Sequence, residues 1–423
     1  MTAQARLGAS EKSIPCIARQ PILTAEENVI GYELFFRESQ FQNRTTTDAE
    51  REAAATIDML NLVGLGVLCD GRLAFINCTH NMLLSDYLAL LPPSEVVVEL
   101  QNEIPVNEKV IQKCQHLKRC GYSIALDNFV PNDPREALVP YAHFLKIDIT
   151  RVTPEQCALL ARLHATEECK LLAQQVETRE QFLAARKSGF TRFEGYFFRI
   201  PENLRARQIP ANQSTYVRLL SAVSKPEVEF AEIEDLIKHE PSLCYRLLRY
   251  LNSPLLGLSA PVVSVRNALS LLGQDESVRW IRMATTLVMG QDKPSDLILS
   301  SLVRARFCEL IAPRVEHGNS DLFLMGMLSL IDSILSVPIG MVIDELGLDA
   351  NLKAQLLAAK TKTKTPLSPI YDLMVAREAG DWGQVSHLGK QLNLSLAFIA
   401  ETSNAAMRWA HQVTGGASGD RPR

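Results

Sequence analysis

The first half of the chain alternates short apolar runs with longer amphipathic segments. The runs are rich in β-branched and aromatic residues, which favour strands, and the segments between them have the apolar spacing of helices packed on one side. The predicted strands lie at 29–34, 73–77, 95–100, 122–127, 143–148, 170–173 and 193–198, and the predicted helices at 48–63, 107–118, 154–166 and 179–188. This alternation predicts βα units with a largely parallel sheet, and seven or eight such units fit a closed, TIM-like (β/α) barrel better than an open sheet.

The second half changes character near 205–214, and strand patterns almost vanish beyond it. Leucines and isoleucines recur there at helical spacing, and Pro, Gly and Asn separate the segments. Beyond two short helices that meet at Pro241, the predicted helices lie at 264–272, 276–289, 297–311, 321–336, 351–359, 369–379, 385–391 and 395–413. We therefore expect a multidomain protein, α/β plus all-α, with a barrel at 1–208, a helical domain at 209–400 and a terminal helix and flexible tail at 401–423.

The composition narrows the classes of partner. The 423 residues are 47% hydrophobic and 22% charged, and the formal net charge is −4. These values are typical of a globular protein, and a slightly acidic chain gives no electrostatic reason for broad nucleic-acid binding. No apolar run approaches the ~20 residues of a membrane-spanning helix, and the N-terminal stretch lacks the apolar core of a secretory signal. We expect a cytoplasmic protein with no nucleic-acid partner and no membrane segment.

Polar side chains lie at or near the ends of several predicted strands. Glu33, Asn77, Glu99 and Asp127 belong to four successive runs, and Lys146 lies near the end of the next. Because the carboxyl ends of parallel strands meet at one end of a barrel, these groups could form an oxygen-rich cage of the kind that suits Mg²⁺ or Mn²⁺. Each acidic residue taken alone could equally solvate a strand end or cap a helix.

Eight stretches of the first half resemble the motifs of the EAL domain, the fold of cyclic di-GMP phosphodiesterases. They occur in the family's order and cover almost all of the first 205 residues. The stretches are RQPIL (19–23), GYELFFR (31–37), FINCT (75–79), VVELQNE (97–103), IALDNFV (124–130), FLKID (144–148), LLAQQVET (171–178) and FEGYFF (193–198). The resemblance implies an EAL-like barrel over this half of the chain.

The resemblance also implies roles for individual residues. The ligands of the first metal fall on Glu33, Asn77, Glu99 and Asp127, and the family's lysine falls on Lys146. The residues that it implies for a cyclic di-GMP pocket are Gln20, Arg37, Asp148 and Glu194. A single Mg²⁺ or Mn²⁺ could therefore occupy the first site.

Several positions depart from the pattern of active enzymes. The second residue of the family's aspartate pair is Asn128, the glutamate of the sixth motif is Gln174, and bulkier residues follow Glu33 at Leu34 and Phe35. Two-metal hydrolysis needs enough negative charge to hold both ions, and losing a general base typically costs ~10²–10⁴ in rate. We therefore expect no catalytic residues, with Lys146 and Gln174 as vestiges of the ancestral site, and no required cofactor.

Residues 209–400 resemble the HDOD domain, an all-helical relative of metal-dependent HD phosphohydrolases. The most specific stretch is 236–273, which ends in the Leu-Leu-Gly of residues 271–273. Where the hydrolases carry a His-Asp pair, this chain has Ser329 and Leu330, which offer no useful metal-binding pair. The resemblance therefore implies a non-hydrolytic output domain that binds protein partners.

Together these features predict a signalling protein that acts through protein–protein interaction, with a degenerate EAL barrel fused to an HDOD domain. Two alternatives remain: an active Mg²⁺- or Mn²⁺-dependent cyclic di-GMP phosphodiesterase, and a sensor that binds cyclic di-GMP without cleaving it. A dimer is left open as well.

Overall fold

The computed structural model describes residues 17–36, 57, 60, 64–199, 211–225, 227–252, 262, 264–318, 320–361 and 363–415. Its first half is a closed barrel in which each strand pairs with the next and β8 returns to β1. The strands are β1 Ile17–Thr24, β2 Val29–Phe36, β3 Leu73–Cys78, β4 Val96–Leu100, β5 Ser123–Leu126, β6 Phe144–Asp148, β7 Lys170–Gln174 and β8 Arg192–Glu194. The predicted closed barrel is confirmed.

Strand β1 is the element that the pattern of apolar runs does not predict. The polar pair Arg19 and Gln20 and the ring of Pro21 interrupt its apolar sequence, so it lacks the signature of a buried strand. It runs antiparallel to both β2 and β8, whereas the strands from β2 to β8 pair in parallel. Its first residues therefore lie at the same end of the barrel as the carboxyl ends of the other strands.

Helices connect the strands of the barrel and form its outer layer. They are α1 Leu65–Cys69, α2 His80–Leu84, α3 Glu108–Arg119, α4 Pro154–His164 and α5 Arg179–Lys187. Helices α4 and α5 begin at capping boxes, in which Thr153 pairs with Gln156 and Thr178 with Gln181. The last three match predicted helices, whereas the predicted helix at 48–63 lies almost entirely outside the described residues.

The second half is helical in its described part, as predicted. Its helices are α6 Ala211–Ala222, α7 Phe230–Lys238, α8 Pro241–Leu251, α9 Val265–Met289, α10 Ser295–Ile311, α11 Leu322–Leu328, α12 Ile331–Leu335, α13 Ile339–Glu345, α14 Ala350–Thr361, α15 Ser368–Ala379, α16 Trp382–Gln391 and α17 Leu396–Gly415. The two helices predicted at 264–272 and 276–289 meet at Gly273, whose φ of 75° is non-helical. The single helix predicted at 321–336 is two helices, α11 and α12.

The predicted domain limits remain predictions, although two observations bear on how the halves are arranged. Helix α17 begins at Leu396 and continues through the predicted limit at 401. The two halves also touch, because Arg19 of β1 lies 3.5 Å from Asp296 of α10 and the barrel residue Arg199 bonds to the same carboxylate. None of the helices among the described residues is both long and apolar enough to cross a membrane.

Candidate functional site

One layer of inward-facing polar side chains lies at the carboxyl end of the barrel. Side chains alternate between the two faces of a strand, so residues two positions apart in a strand point to the same face. Asn77 thus follows Phe75, and Glu99 follows Val97, both of which belong to the apolar cluster formed by inward-facing residues. The members of the polar layer are Glu33, Asn77, Glu99, Asp127, Lys146, Gln174 and Glu194. The structure therefore brings the four predicted metal ligands and Lys146 into one site.

Lys146 lies at the centre of this layer. Its ammonium Nζ is 2.6 Å from Glu33 Oε2, 2.6 Å from Glu99 Oε1 and 3.0 Å from Glu194 Oε2. A fourth carboxylate, Asp127, lies 3.9 Å away. The Lys146 side chain is 0% exposed, so water does not share these contacts. The cation that the carboxylates surround in this structure is thus supplied by the chain itself.

Burial and mutual repulsion decide how the carboxylates carry charge. Burial, followed by the charge of Glu33, raises the pKa of both Glu99 and Glu194 well above the usual range. For Glu33, burial acts in the same direction, but the Lys146 ammonium and the surrounding hydrogen bonds outweigh it and lower the pKa. Burial disfavours the Lys146 charge, yet the neighbouring carboxylates raise its pKa. Lys146 and Glu33 therefore favour their charged states, whereas burial opposes the charge of Glu99 and Glu194.

The oxygen atoms of the polar layer suit a divalent cation only in part. Carboxylate and amide oxygens suit Mg²⁺ or Mn²⁺, and the buried Glu99 Oε2 has no hydrogen-bond partner among the described residues. However, the Lys146 ammonium lies where those oxygens converge, and like charges repel strongly at such distances. Within the described residues, no group of three or more His, Cys, Asp and Glu side chains is arranged to hold a metal ion. As arranged, the residues fit an ammonium and not a divalent ion.

The carboxylate of Asp127 is occupied by two amides. Asn128 Nδ2 donates to Asp127 Oδ2 at 2.8 Å, and Gln174 Nε2 donates to Asp127 Oδ1 at 2.9 Å. Both amides stand where the resemblance implies an acid, and a carboxamide cannot accept a proton near neutral pH. Asn128 also has a φ of 50°, which Asn tolerates better than most residues. Both carboxylate oxygens of Asp127 therefore accept a hydrogen bond from a neighbouring amide.

A buried ion pair braces the loop that carries Asp127. Arg135 Nε donates to Asp133 Oδ1 at 2.9 Å, and the two side chains are 1% and 3% exposed. Arg135 also donates to the carbonyl oxygens of Leu100 at 2.9 Å and Asp127 at 2.8 Å. The sequence analysis did not identify this pair. Its only sequence signal is an Asp-Pro-Arg triplet, which is more often a solvated turn.

The open side of the polar layer is a cavity of about 290 Å³. Its lining residues are Glu33, Phe35, Asn77, Asp127, Asn128, Asp148, Arg151, Gln174, Gln175 and Glu194. Of the residues predicted for a cyclic di-GMP pocket, Asp148 and Glu194 line it. Gln20 pairs with Glu33 across β1 and β2 but is not among the described lining residues, and Arg37 lies outside the described part of the chain.

Arg151 is a lining residue that the sequence analysis missed. Its Nε lies 2.9 Å from Asp148 Oδ2, and its side chain is 72% exposed at the rim of the cavity. The only signal for it is its position three residues after the FLKID stretch, where many loop residues are charged. Arg151 is an accessible cation beside the cavity that could meet an anionic ligand.

Comparisons with known proteins agree with both halves of this description. Residues 209–338 match the model of the HDOD domain family. The "Cyclic di-GMP phosphodiesterase CdgJ" of Vibrio cholerae is 32% identical over 407 residues, which cover 94% of this chain and 92% of that protein. The "Uncharacterized protein YuxH" of Bacillus subtilis is 31% identical over 411 residues, which cover 94% and 98%. This chain is an EAL–HDOD protein.

Solved structures similar to the EAL–HDOD chain are EAL domains, with similarity limited to part of the chain. The EAL domain of Mycobacterium smegmatis DcpA is 18% identical, with a TM-score of 0.36, 43% of this chain covered and 90% of that one. Klebsiella pneumoniae BlrP1, in a calcium and cyclic di-GMP complex, is 19% identical, with a TM-score of 0.37 and coverage of 44% and 55%.

In the helical domain of this EAL–HDOD protein, an arginine bonds to Ser329, which stands where the resemblance places the histidine of the hydrolase pair. Arg304 Nη1 donates to Ser329 Oγ at 3.0 Å, and Arg304 Nε donates to Glu378 Oε2 at 2.8 Å. Leu330 is buried, and the nearby Asp332 pairs with Lys360 at 2.5 Å. Cations of the chain thus neutralise the carboxylates at this position, as Lys146 does in the barrel.

Proposed function

We propose that this EAL–HDOD protein is a signalling protein that acts by binding protein partners and does not hydrolyse cyclic di-GMP. The observation that carries the proposal is the position of Lys146, whose ammonium lies 2.6 Å from both Glu33 and Glu99. Divalent cations bound at these oxygens would have to displace it. On this proposal the protein requires no metal cofactor.

The polar layer also carries an amide, Gln174, where the resemblance implies a base. Gln174 cannot take up a proton, and both Gln174 and Asn128 donate to Asp127 instead of binding a cation. Restoring turnover would need a base as well as two cations, because phosphodiester hydrolysis requires an activated nucleophile and charge stabilisation together. The loss of a base and of cation ligands supports a barrel that has kept the fold but not the hydrolytic activity.

The helical domain supports the same conclusion from the other half of the chain. Ser329 and Leu330 replace the metal-binding pair, and Arg304 is already bonded where a ligand would be needed. Since neither position carries a hydrolytic group, we expect both domains to act through their surfaces. We therefore assign the output of the protein to contacts with protein partners.

The first alternative is an active phosphodiesterase. It is favoured by the name of CdgJ, which is 32% identical to this chain over nearly its full length. In that case Glu33, Asn77, Glu99 and Asp127 would hold a cation and Lys146 would move aside. A second alternative is a sensor that binds the nucleotide without cleaving it. Asp148 and the exposed Arg151 at the cavity rim support this alternative.

The deciding experiment incubates the full chain with cyclic di-GMP and either Mg²⁺ or Mn²⁺ and follows the linear dinucleotide product. We expect no turnover above that of a Glu33→Ala variant. Turnover that disappears in Glu33→Ala would reject the proposal in favour of the active enzyme. Calorimetric titration with cyclic di-GMP separates the remaining alternative, because heat without product identifies a sensor and absence of heat at high micromolar nucleotide rejects it.

A further inference from the structure

The helical domain meets the barrel at the end that carries the polar layer. Because β1 runs antiparallel to its neighbours, Ala18 and Arg19 lie at this end, and Ala18 pairs with Phe35 across β1 and β2. Phe35 in turn lines the cavity beside Glu33. The wall of the cavity and the domain interface therefore share one strand pair.

The C-terminal end of α15 and its capping glycine, residues 378–380, which we call the turn at 378–380, rest directly on that strand pair. A Cβ placed on Gly380 would lie 3.2 Å from Ala18 Cβ and 3.7 Å from Phe35 Cβ, and the φ of Gly380 is 71°. Glycine is therefore suited to this position on two counts, close approach and left-handed backbone. The turn leaves little room between the helical domain and the cavity wall.

Buried charges hold the turn in place from both domains. Glu378 Oε1 accepts a hydrogen bond from barrel residue Arg199 at 2.9 Å, and Glu378 Oε2 accepts bonds from Arg304 of α10 at 2.8 and 2.5 Å. Arg199 also donates to Ser300 at 2.8 Å. Charge-assisted bonds between buried groups are short and strong, so these bonds hold the two domains together at this junction.

A second set of contacts ties the same junction to the polar layer. The guanidinium of Arg19 lies 4.0 Å from the ring centre of Tyr32, which is the neighbour of Glu33. Tyr196 donates its hydroxyl to the carbonyl oxygen of Arg19 at 2.8 Å, next to Gln20, which faces Glu33. A shift of β1 or β2 would thus reach both the helical domain and the cluster around Lys146.

We propose that the turn at 378–380 is a regulatory contact, through which the state of the barrel cavity and the docking of the helical domain control each other. The coupling rests on the proposed function, since it supplies the route by which a barrel without turnover signals to its output domain. Coupling between two sites is reciprocal in free energy, so disturbing the turn must loosen the cavity. That direction can be tested without any ligand.

The test compares hydrogen exchange in the full chain and two variants. Glu378→Gln removes the carboxylate charge that joins the two domains. Glu234→Gln is the matched control, because Glu234 is also a buried acid of the helical domain, but its basic partners, Lys238 and Arg266, belong to the same domain. Losing a hydrogen bond to a charged group costs enough to change local opening by about tenfold or more.

We expect Glu378→Gln to speed exchange by about tenfold in β1 and β2, and also in segments 124–130 and 170–176, which carry Asp127 and Gln174. Glu234→Gln should leave exchange in these barrel segments unchanged. An effect of Glu378→Gln confined to the helical domain, or an equal barrel effect of Glu234→Gln, would overturn the proposal.

Should Glu378→Gln fail to fold, Gly380→Ala disturbs the same contact more mildly and should give the same pattern at smaller size. Unchanged barrel exchange in Gly380→Ala would then count against the coupling. No nucleotide enters this experiment, so its outcome is independent of the turnover assay, and either proposal can fail alone.

Discussion

The ammonium of Lys146 lies 2.6 Å from the Glu99 carboxylate, and the two side chains are both 0% exposed. This contact joins β6 to β4 across the barrel interior, at the level where Glu33 and Glu194 also converge. A buried lysine is costly unless carboxylates compensate it, and buried carboxylates are costly without a cation. The charges of the cluster therefore stabilise one another, so removing one of them should measurably lower the free energy of unfolding.

Replacing Lys146 with Met should destabilise the barrel. The substitution leaves carboxylates buried without a cation, and breaking a buried ion pair typically costs about 3–5 kcal/mol. We expect a loss of this size in the free energy of unfolding by urea at pH 7, and a smaller loss at pH 5 because the carboxylates can take up protons. Lys109→Met, on the exposed side of α3, should change stability by less than about 0.5 kcal/mol. A Lys146→Met loss below about 1 kcal/mol would show that the cluster is not coupled in this way.

Restoring two acids beside Asp127 should create affinity for divalent cations. In the double variant Asn128→Asp, Gln174→Glu, the amides that now bond to Asp127 become carboxylates. The ammonium of Lys146 alone cannot compensate the added negative charge, so a divalent cation should bind. Mn²⁺ at about 100 times its Kd would stabilise the variant by about 2.7 kcal/mol, seen as a higher Tm.

The control for that experiment is Gln175→Glu, which adds a carboxylate at the cavity lining without replacing a bond to Asp127. Neither this control nor the unaltered chain should respond to Mn²⁺. An equal rise in Tm for the unaltered chain would mean that Lys146 yields to metal, contrary to the proposed function.

Removing the guanidinium of Arg135 should loosen the loop that carries Asp127. Arg135→Met leaves Asp133 buried and the carbonyl oxygens of Leu100 and Asp127 without this donor, for an expected loss of about 3 kcal/mol. Arg151→Met provides the comparison, since Arg151 is exposed and its ion pair contributes little. Adding Asp133→Asn to Arg135→Met should recover part of the loss in urea unfolding, and failure to recover any would argue against the ion pair as its cause.

Acid should weaken the junction of the two domains. Burial opposes the charge of Glu378, but Arg199, Arg304 and Arg377 outweigh it and lower its pKa from 4.5 to about 2. A depressed pKa adds stability that is complete above the unfolded value and is lost as pH falls from about 4.5 towards 2, by roughly 3 kcal/mol in all. The slope of unfolding free energy against pH below 4.5 should therefore be shallower in Glu378→Gln than in the unaltered chain. Equal slopes would assign the acid sensitivity to other carboxylates.

The sequence predicts the barrel and the members of its polar layer because strand ends are local features. Glu33, Asn77, Glu99 and Asp127 each lie at or near the end of an apolar run, and parallel strands carry such ends to the same place. The sequence does not reveal that Lys146 would lie among them at hydrogen-bonding distance. That depends on side chains from β2, β4, β6 and β8 pointing to a common centre, which no spacing along the chain encodes.

Strand β1 and the Asp133–Arg135 pair escape prediction for a related reason. Both contain residues that are usually found at the surface, and both are buried only because distant parts of the chain cover them. Arg19 is stabilised by Tyr32 and by Asp296 of the helical domain, and Arg135 by Asp133 and two carbonyl groups. Whether a charged side chain is buried depends on tertiary contacts, whereas a local sequence pattern predicts that charged residues are exposed.

The enclosure of Lys146 has a consequence for the response of the protein to salt. Mobile ions screen charges that face the solvent, such as Lys364 with Asp372, whose side chains are 77% and 40% exposed. The side chains of Lys146 and Glu99 are both 0% exposed, so mobile ions screen this pair much less. Rising ionic strength should therefore weaken the ion pairs at the surface well before it weakens the buried ion pairs of Lys146.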